Sequence, residues 1–385
     1  MNDITIGFIG LGLIGGSIAK AIKNTHKEYN LLAFDHHSSK GNTSTNNATI
    51  RNVDSSAISQ DLELALNNGT LDKVVNDLND FAGCDIIILC APVLQNINYL
   101  SVLKNIIKPD CILTDVGSVK GNIHKEVIDL GMETMFIGGH PMTGSEKTGF
   151  ENSHPTLLEN AYYILTPTRY TPSVKLEFMI QLVKDMASLP IILDYTQHDS
   201  ITAAISHVPH IIAASLVNLV RDSDDTKENM RHLAAGGFKD ITRIASSSPT
   251  IWQNICLTNT DSIKAFLDNY ISSLNNISNA LEERDEVYLY DLFDTANEYR
   301  TSIPNRSNGL MENIYEIFID IIDEAGAIAT IATLLATNII SIKNIGIIHN
   351  REFEEGVLRI EFYDNSAREK AISLLKKYSY IIYER

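Results

Sequence analysis

His140 sits between Gly139 and Pro141 in the run GGHPMTGSEKTG, directly after an apolar stretch, and is the side chain best suited to take a proton near neutral pH. A histidine between a glycine and a proline reads as part of a stiffened site loop rather than of an inert apolar helix face. Ser145, Glu146 and Lys147 follow within the same run and add polar orienting groups at the same mouth. Lys239 and Arg243, four residues apart in AAGGFKDITRIASSSP, read as neighbours on one helix. The guanidinium of Arg243 offers the planar fork that binds a carboxylate bidentately; a surface ion pair with Asp240 or Asp199 is the other reading of it. His207 and His210, three apart in HDSITAAISHVPHIIAASL, share a helix face, and Asp199 lies eight residues before His207, placed to cap or orient. No cysteine or acid on that helix completes a ligand set, so a metal is not expected there.

These groups need a scaffold, and the first third of the chain specifies one. IGFIGLGLIGGSIAKAI spaces Gly10, Gly12 and Gly15 as GxGxxG between a strand and a helix, where a tight turn lets free helix N–H groups meet a pyrophosphate. Asp35 ends the next strand, twenty residues beyond Gly15, where a carboxylate holds a ribose 2′-hydroxyl and repels a 2′-phosphate; the expected cofactor is NAD. In ILTDVGSVKGNI, Ser118 follows another strand end and either faces the cofactor crevice or caps the next helix. Residues 4–9, 30–34, 85–90, 111–115 and 134–137 read as strands separated by helix-length segments, the pattern of a doubly wound α/β domain with a parallel sheet. The Asn/Ser/Thr-rich stretch 36–56 reads as a polar insertion, and strands at 162–165 and 191–193 are expected to finish the sheet.

From about residue 197 to 292 apolar residues recur at three and four, the texture of an all-helical domain. After residue 306 the order strand, helix, strand, strand, helix, strand in about seventy residues predicts a ferredoxin-like module. The expected domains are therefore 1–170, 171–304 and 310–385. The composition bounds the partners: 48 acidic against 31 basic residues give a formal charge of −17, which repels nucleic acid and anionic lipid and makes an anionic substrate depend on a local cation such as Arg243. Cys84, Cys90, Cys111 and Cys256 lack metal-ligand or CxxC spacing and read as buried reduced thiols of a cytoplasmic protein. No apolar stretch is expected to reach the length of about 18 residues that spans a bilayer.

Taken together, GLGLIGGS, DVGSVKG, GGHPMTGSEKTG, HDSITAAISHVPH and GGFKDITRIASSSPTIW resemble the prephenate dehydrogenases, the TyrA family of tyrosine biosynthesis, over roughly residues 4–300. The tail resembles an ACT domain, the amino-acid-sensing module of some members, with its first strand-to-helix loop at 323–326. The sequence departs from the family pattern at the insertion after Asp35, at Val208, where leucine is common, and at Ala325–Gly326 in the ACT loop. The resemblance implies NAD-dependent oxidative decarboxylation of prephenate to 4-hydroxyphenylpyruvate, with tyrosine as inhibitor and a homodimer built through the helical domain. It further implies that His140 accepts a hydrogen bond from the 4-hydroxyl, Ser118 bridges it to the cofactor side, Arg243 pairs with a substrate carboxylate, Asp199 helps place that arginine, and His210 lines the pocket. Ser145, Glu146, Lys147 and Lys239 complete the substrate set; Gly10, Gly12, Leu13, Ile14, Gly15, Asp35, Ala91, Pro92 and Ser118 form the cofactor set. An arogenate dehydrogenase of the same family and a non-catalytic NAD-binding amino-acid sensor are the competing readings.

Overall fold

A computed structural model describes residues 4–35, 59–144, 147–303, 315–321, 326–348 and 356–383; the expected polar insertion lies outside them. The first elements are β1 (Thr5–Ile9), α1 (Leu13–Thr25), β2 (Asn30–Phe34), α2 (Gln60–Asn67), β3 (Lys73–Val74), β4 (Ile86–Leu89), α3 (Val93–Leu103), β5 (Ile112–Asp115) and α4 (Gly121–Asp129). Every pairing in the resulting sheet is parallel and its order is β3-β2-β1-β4-β5. All four residues of β4, Ile-Ile-Ile-Leu, are buried, as expected of a strand covered on both faces. Ile6, Phe8 and Ile88 point into one apolar core with Ile18 and Ile22 of α1, while Ile9, Ile87 and Leu89 point into the other with Leu100 of α3 and Ile123 of α4.

The strands expected to finish this sheet instead form a second one: β6 (Ile137–Pro141) runs antiparallel to β7 (Tyr162–Pro167), and β8 (Leu189–Ile192) runs parallel to β7 after α5 (Ser173–Asp185). A single parallel bridge, Leu113 to Phe136, joins it to β5. Gly138 and Gly139 set how closely β6 lies against its neighbours. A Cβ on Gly139 would lie 2.5 Å from the Asp115 carbonyl oxygen, and one on Gly138 2.3 Å from Thr166 Oγ1, so only glycine lets this strand press so closely on its neighbours. Residue 140 is consequently in a strand, opposite Ile164, and not in the loop expected from its glycine and proline neighbours. Met179, Leu182 and Val183 of α5 pack into the same core as α1, so this half of the chain continues past residue 170.

The helical region comprises α6 (Tyr195–Thr202), α7 (Val208–Ser223), α8 (Asn229–Leu233), α9 (Gly236–Thr242), α10 (Pro249–Thr258), α11 (Thr260–Glu283) and α12 (Glu286–Ser302). A π-helical turn at Ala203–His207 joins α6 to α7 without a break, with Pro209 tolerated in the first turn of α7. Contrary to the sequence-based expectation, the continuous run Tyr195–Ser223 is, by length and composition, long and apolar enough to cross a membrane; its polar residues, spaced along it rather than clustered, do not interrupt the run. His198, Asp199 and His207 on it are buried and hydrogen-bonded to β6, to the start of α4 and to Asn259 ahead of α11. The core of this region is small, Ala203, Val208 and Ile263, whereas Ile205, Leu257, Val287, Tyr290 and Phe293 are exposed.

Contacts divide the chain into two compact units, Met1–Ser307 and Asn308–Arg385. The second contains β9 (Tyr315–Ile321), α13 (Ala327–Thr337), β10 (Ile342–Ile348), β11 (Gly356–Phe362), α14 (Asn365–Lys377) and β12 (Ile382–Tyr383). Its antiparallel sheet has the order β10-β11-β9-β12, the ferredoxin-like arrangement, around Ile317, Ile319, Ile331, Leu335, Leu358, Ile360 and Leu375. Of the expected loop at 323–326 only Gly326 is described; its φ of +97° leads into α13.

Candidate active site

The carboxyl end of β5 and the glycine strand β6 build the floor of the site. Lys120 is wholly buried and pairs with Asp115; its Nζ also donates to the Gly139 carbonyl at 2.7 Å. The Asp115 carboxylate in turn accepts from Gly117 N at 2.9 Å and Gly139 N at 3.2 Å. Burial pushes the Lys120 ammonium below its ordinary value while Asp115 pulls the other way, and the pair clamps the backbone on the N-terminal side of His140. Removing one partner of such a buried pair typically costs about 3–5 kcal/mol, because the other charge is left buried and unpaired.

His140 is half-buried, and its Nδ1 lies 2.8 Å from Nε2 of His198, which is completely buried. His198 Nδ1 lies 2.8 Å from Asp199 Oδ1. Asp199 also accepts from the backbone N–H groups of Lys120 at 2.8 Å and Gly121 at 2.7 Å, so a residue of α6 caps the N-terminus of α4 across the fold. Its carboxylate therefore bridges the start of α4 and His198. Ser118 does not cap α4 either: the helix has no cap from its own side chains, and Ser118 sits half-buried beside the carboxyl end of β5. Burial, and then the neighbouring charges of His198, Lys120 and His207, hold His140 well below the ordinary histidine value, so its ring is neutral at neutral pH.

From Asp199 the network passes to the far side of the helical region. Asn259 Nδ2 donates to the Asp199 carbonyl at 2.8 Å and lies 3.1 Å from His207 Nδ1. Trp252 meets His207 edge-on with ring centroids 6.1 Å apart, and stacks on His210 at 3.7 Å. His210 Nδ1 also contacts the Ser206 carbonyl at 2.8 Å. Its pKa is lowered chiefly by burial and also by the charge of Arg243, whose turn, Arg243–Ser246, packs on α7. The helix α9 ends at Thr242, so Lys239 and Arg243 belong to consecutive elements rather than to one helix, and both are exposed. Lys147 is exposed as well, while Ser145 and Glu146 lie outside the described residues.

The glycine turn sits at the carboxyl ends of β1 and β4. Gly10 has φ +87°, and a Cβ there would lie 3.0 Å from the Ala91 nitrogen. Gly15 is closed by Cys90, whose Sγ lies 3.0 Å from the position of an added Cβ. Gly12 differs: nothing lies within 4 Å of its Cβ position, and as the N-cap of α1 it leaves the first N–H groups, starting at Leu13 and Ile14, without a side-chain cap. Open space against uncapped helix N–H groups fits a pyrophosphate. Asp35 lies just past the end of β2, half-buried; Ala91 and Pro92 stand at the end of β4, where Ala91 N donates to Asn96 Oδ1 at 3.1 Å. Among the thiols, Cys84 and Cys111 are buried, with pKa values pushed up to about 12, whereas Cys90 and Cys256 are half-buried.

Several residues of this network escaped the sequence reading. His198 is adjacent to Asp199 in QHDS and was the legible one; Lys120, Asp115, Asn259 and Trp252 become site residues through the bonds of Lys120 and Asp115 to Gly139, 19 and 24 positions on, of Asn259 to Asp199, 60 positions back, and through the stacking of Trp252 on His210.

The family model described as "Prephenate dehydrogenase, nucleotide-binding domain" matches residues 40–189, and "Prephenate dehydrogenase, dimerization domain" matches residues 194–295. The chain is 36% identical over 377 residues to the prephenate dehydrogenase of Bacillus subtilis (strain 168), covering 96% of this chain and 95% of that protein. It is 32% identical over 375 residues to the prephenate dehydrogenase of Lactococcus lactis subsp. cremoris, covering 96% of each. The crystal structure of A. aeolicus prephenate dehydrogenase in complex with hydroxyphenyl propionate and NAD+ superposes with a TM-score of 0.69 at 26% identity, over 79% of this chain and 99% of that one.

Proposed function

The chain belongs to the prephenate dehydrogenase family of oxidoreductases, and from that premise we propose that it converts prephenate to 4-hydroxyphenylpyruvate by NAD-dependent oxidative decarboxylation, a step of tyrosine biosynthesis. The observation that carries this reading is a half-buried His140 kept neutral by its surroundings and bonded through one ring nitrogen, at the carboxyl side of a sheet whose glycine turn leaves room for a dinucleotide. When bound, NAD supplies the hydride acceptor; the residues of this chain position the substrate and take the proton. The uncapped start of α1 at Gly12–Gly15, with Asp35, Ala91 and Pro92, would hold the dinucleotide. His140 accepts the proton of the ring hydroxyl, and loss of CO₂ aromatises the ring, which drives the step forward. Arg243 supplies the cation for a substrate carboxylate, His210 lines the helical side, Ser118 serves the cofactor side, and Ser145, Glu146, Lys147 and Lys239 fall on the substrate side.

The exposed apolar residues of α11 and α12 and the small core beneath them support pairing of the helical regions of two chains as a homodimer. The ferredoxin-like unit supports inhibition by tyrosine, and four free cysteines suit a reducing cytoplasm. Steady-state NADH formation, measured with prephenate and with arogenate and repeated with tyrosine present, tests the reading. Turnover of prephenate, depressed by tyrosine, is expected. Turnover of arogenate alone, or of neither compound, would overturn it, and tyrosine-insensitive turnover would remove the regulatory part.

A further inference from the structure

We propose that His198 is a positioning residue that fixes the ring tautomer of His140, leaving His140 Nε2 as the bare, proton-accepting nitrogen. The inference follows from counting donors. A carboxylate only accepts, so across the 2.8 Å contact with Asp199 Oδ1 the proton belongs to His198 Nδ1. Neutral His198 then has a bare Nε2, and the 2.8 Å contact to His140 is satisfied only if His140 Nδ1 is the donor. The second nitrogen of His140 is left with a lone pair. The opposite tautomer of His140 would set two lone pairs against each other inside the fold.

Asp199 is held for this task. The N–H groups of Lys120 and Gly121 at the start of α4 fix both its oxygens. The groups facing the two rings act in the same direction. Lys120 from the start of α4, with Asp115 of β5 as its partner, His124 further along α4, and His207 of the π-helical turn surround the pair; Lys120 opposes a second positive charge on His140. His198 is completely buried whereas His140 is half-buried, so only His140 presents an edge to a bound molecule. This deepens the reading of His140 as proton acceptor and rests on it. When a substrate proton arrives at Nε2, the imidazolium that forms still donates through Nδ1 to His198, and the charge is met by the His198–Asp199 pair.

The test uses the full-length chain labelled with ¹⁵N-histidine, in which ring-nitrogen shifts report the tautomer and His140→Asn assigns the His140 signals. The wild type is expected to show a protonated Nδ1 and a bare Nε2 at neutral pH. In His198→Ala the two forms should mix, and in His198→Gln, whose amide offers an oxygen toward His140 and an N–H toward Asp199, the wild-type form should persist. Kinetically, His198→Ala should lose about 100-fold in kcat with prephenate, with KM and NAD affinity held within about threefold, and His198→Gln should recover to within about fivefold. A protonated Nε2 on His140 in the wild type, or equal losses of kcat in the Ala and Gln variants, would overturn the proposal. If the wild type fails to turn over prephenate, the proposed function is at fault, and the ring-nitrogen signals still decide the tautomer.

Discussion

Asp199→Asn isolates a buried side chain of the helical region that bonds the start of α4. In the wild type, Oδ1 accepts from Lys120 N and His198 Nδ1, and Oδ2 from Gly121 N. The amide offers one oxygen. Its lower-cost orientation keeps the two bonds at Oδ1 and turns the NH₂ toward the Gly121 N–H, where two donors meet. A buried donor left unmet costs about 1–3 kcal/mol, and each of the two surviving bonds loses about 1 kcal/mol on changing from a charged to a neutral acceptor. The loss of the negative charge at the start of α4 acts in the same direction. The expected destabilisation is therefore about 4 kcal/mol. Urea unfolding followed by fluorescence reads it directly, because Trp252 is the single tryptophan of the chain and stacks on His210 in the helical region. Asp194→Asn provides the comparison: Asp194 caps α6 from an exposed position through Thr196 N at 2.8 Å, and asparagine caps nearly as well, so its midpoint should move by no more than about 0.5 kcal/mol. Equal midpoints for the two variants would refute the view that Asp199 is a buried cross-domain cap.

Three further outcomes follow from the same geometry. Gly12→Ala should fold with unchanged stability, since its added Cβ meets no protein atom within 4 Å, yet weaken NAD binding by tenfold or more in a fluorescence titration; Gly15→Ala should cost about 1–3 kcal/mol against Cys90, and retained NAD affinity in Gly12→Ala would remove Gly12 from the pyrophosphate site. Burial holds His124 and His207 down to about 4, so between pH 6.5 and 4 the unfolded chain binds more protons than the folded one; the stability these groups confer is complete above 6.5 and lost as pH falls toward 4, by about 3 kcal/mol per ring, and a urea midpoint independent of pH across that window would contradict it. Arg243→Ala should raise the prephenate KM by about 10- to 100-fold with a smaller change in kcat, the signature of a lost charged hydrogen bond to substrate; an unchanged KM would take Arg243 out of the pocket.

The glycine turn, the strands β1, β2, β4 and β5 and the six elements of the C-terminal unit were legible because each is written in local periodicity or spacing, whereas the two-residue β3 was not. What was not legible depends on contacts distant in sequence. Gly138 and Gly139 look like loop residues until Asp115 and Thr166 are seen pressing against them, which is why His140 was placed in a loop and β6 in the first sheet. Asp199 reads from its position as a group that caps or orients, but the helix it caps starts 78 and 79 positions away at Lys120 and Gly121, which no local spacing reveals. Lys120 carries no periodic signal at all; a lysine after a turn reads as solvated, and only the close approach of β5 and β6 encloses it.

The central claim is that a neutral His140 takes the proton released as the ring hydroxyl is oxidised. The pH dependence of kcat/KM with prephenate and NAD, measured side by side for the wild type and His140→Asn, tests it most directly. Burial and the ammonium of Lys120 keep His140 uncharged well below 6.5, so wild-type activity should be level from neutral pH down through 6.5 and fall only at more acid pH, while the variant should lose at least about 100-fold in kcat with little change in KM. A His140→Asn enzyme with near wild-type kcat/KM and the same acid limb would contradict the claim.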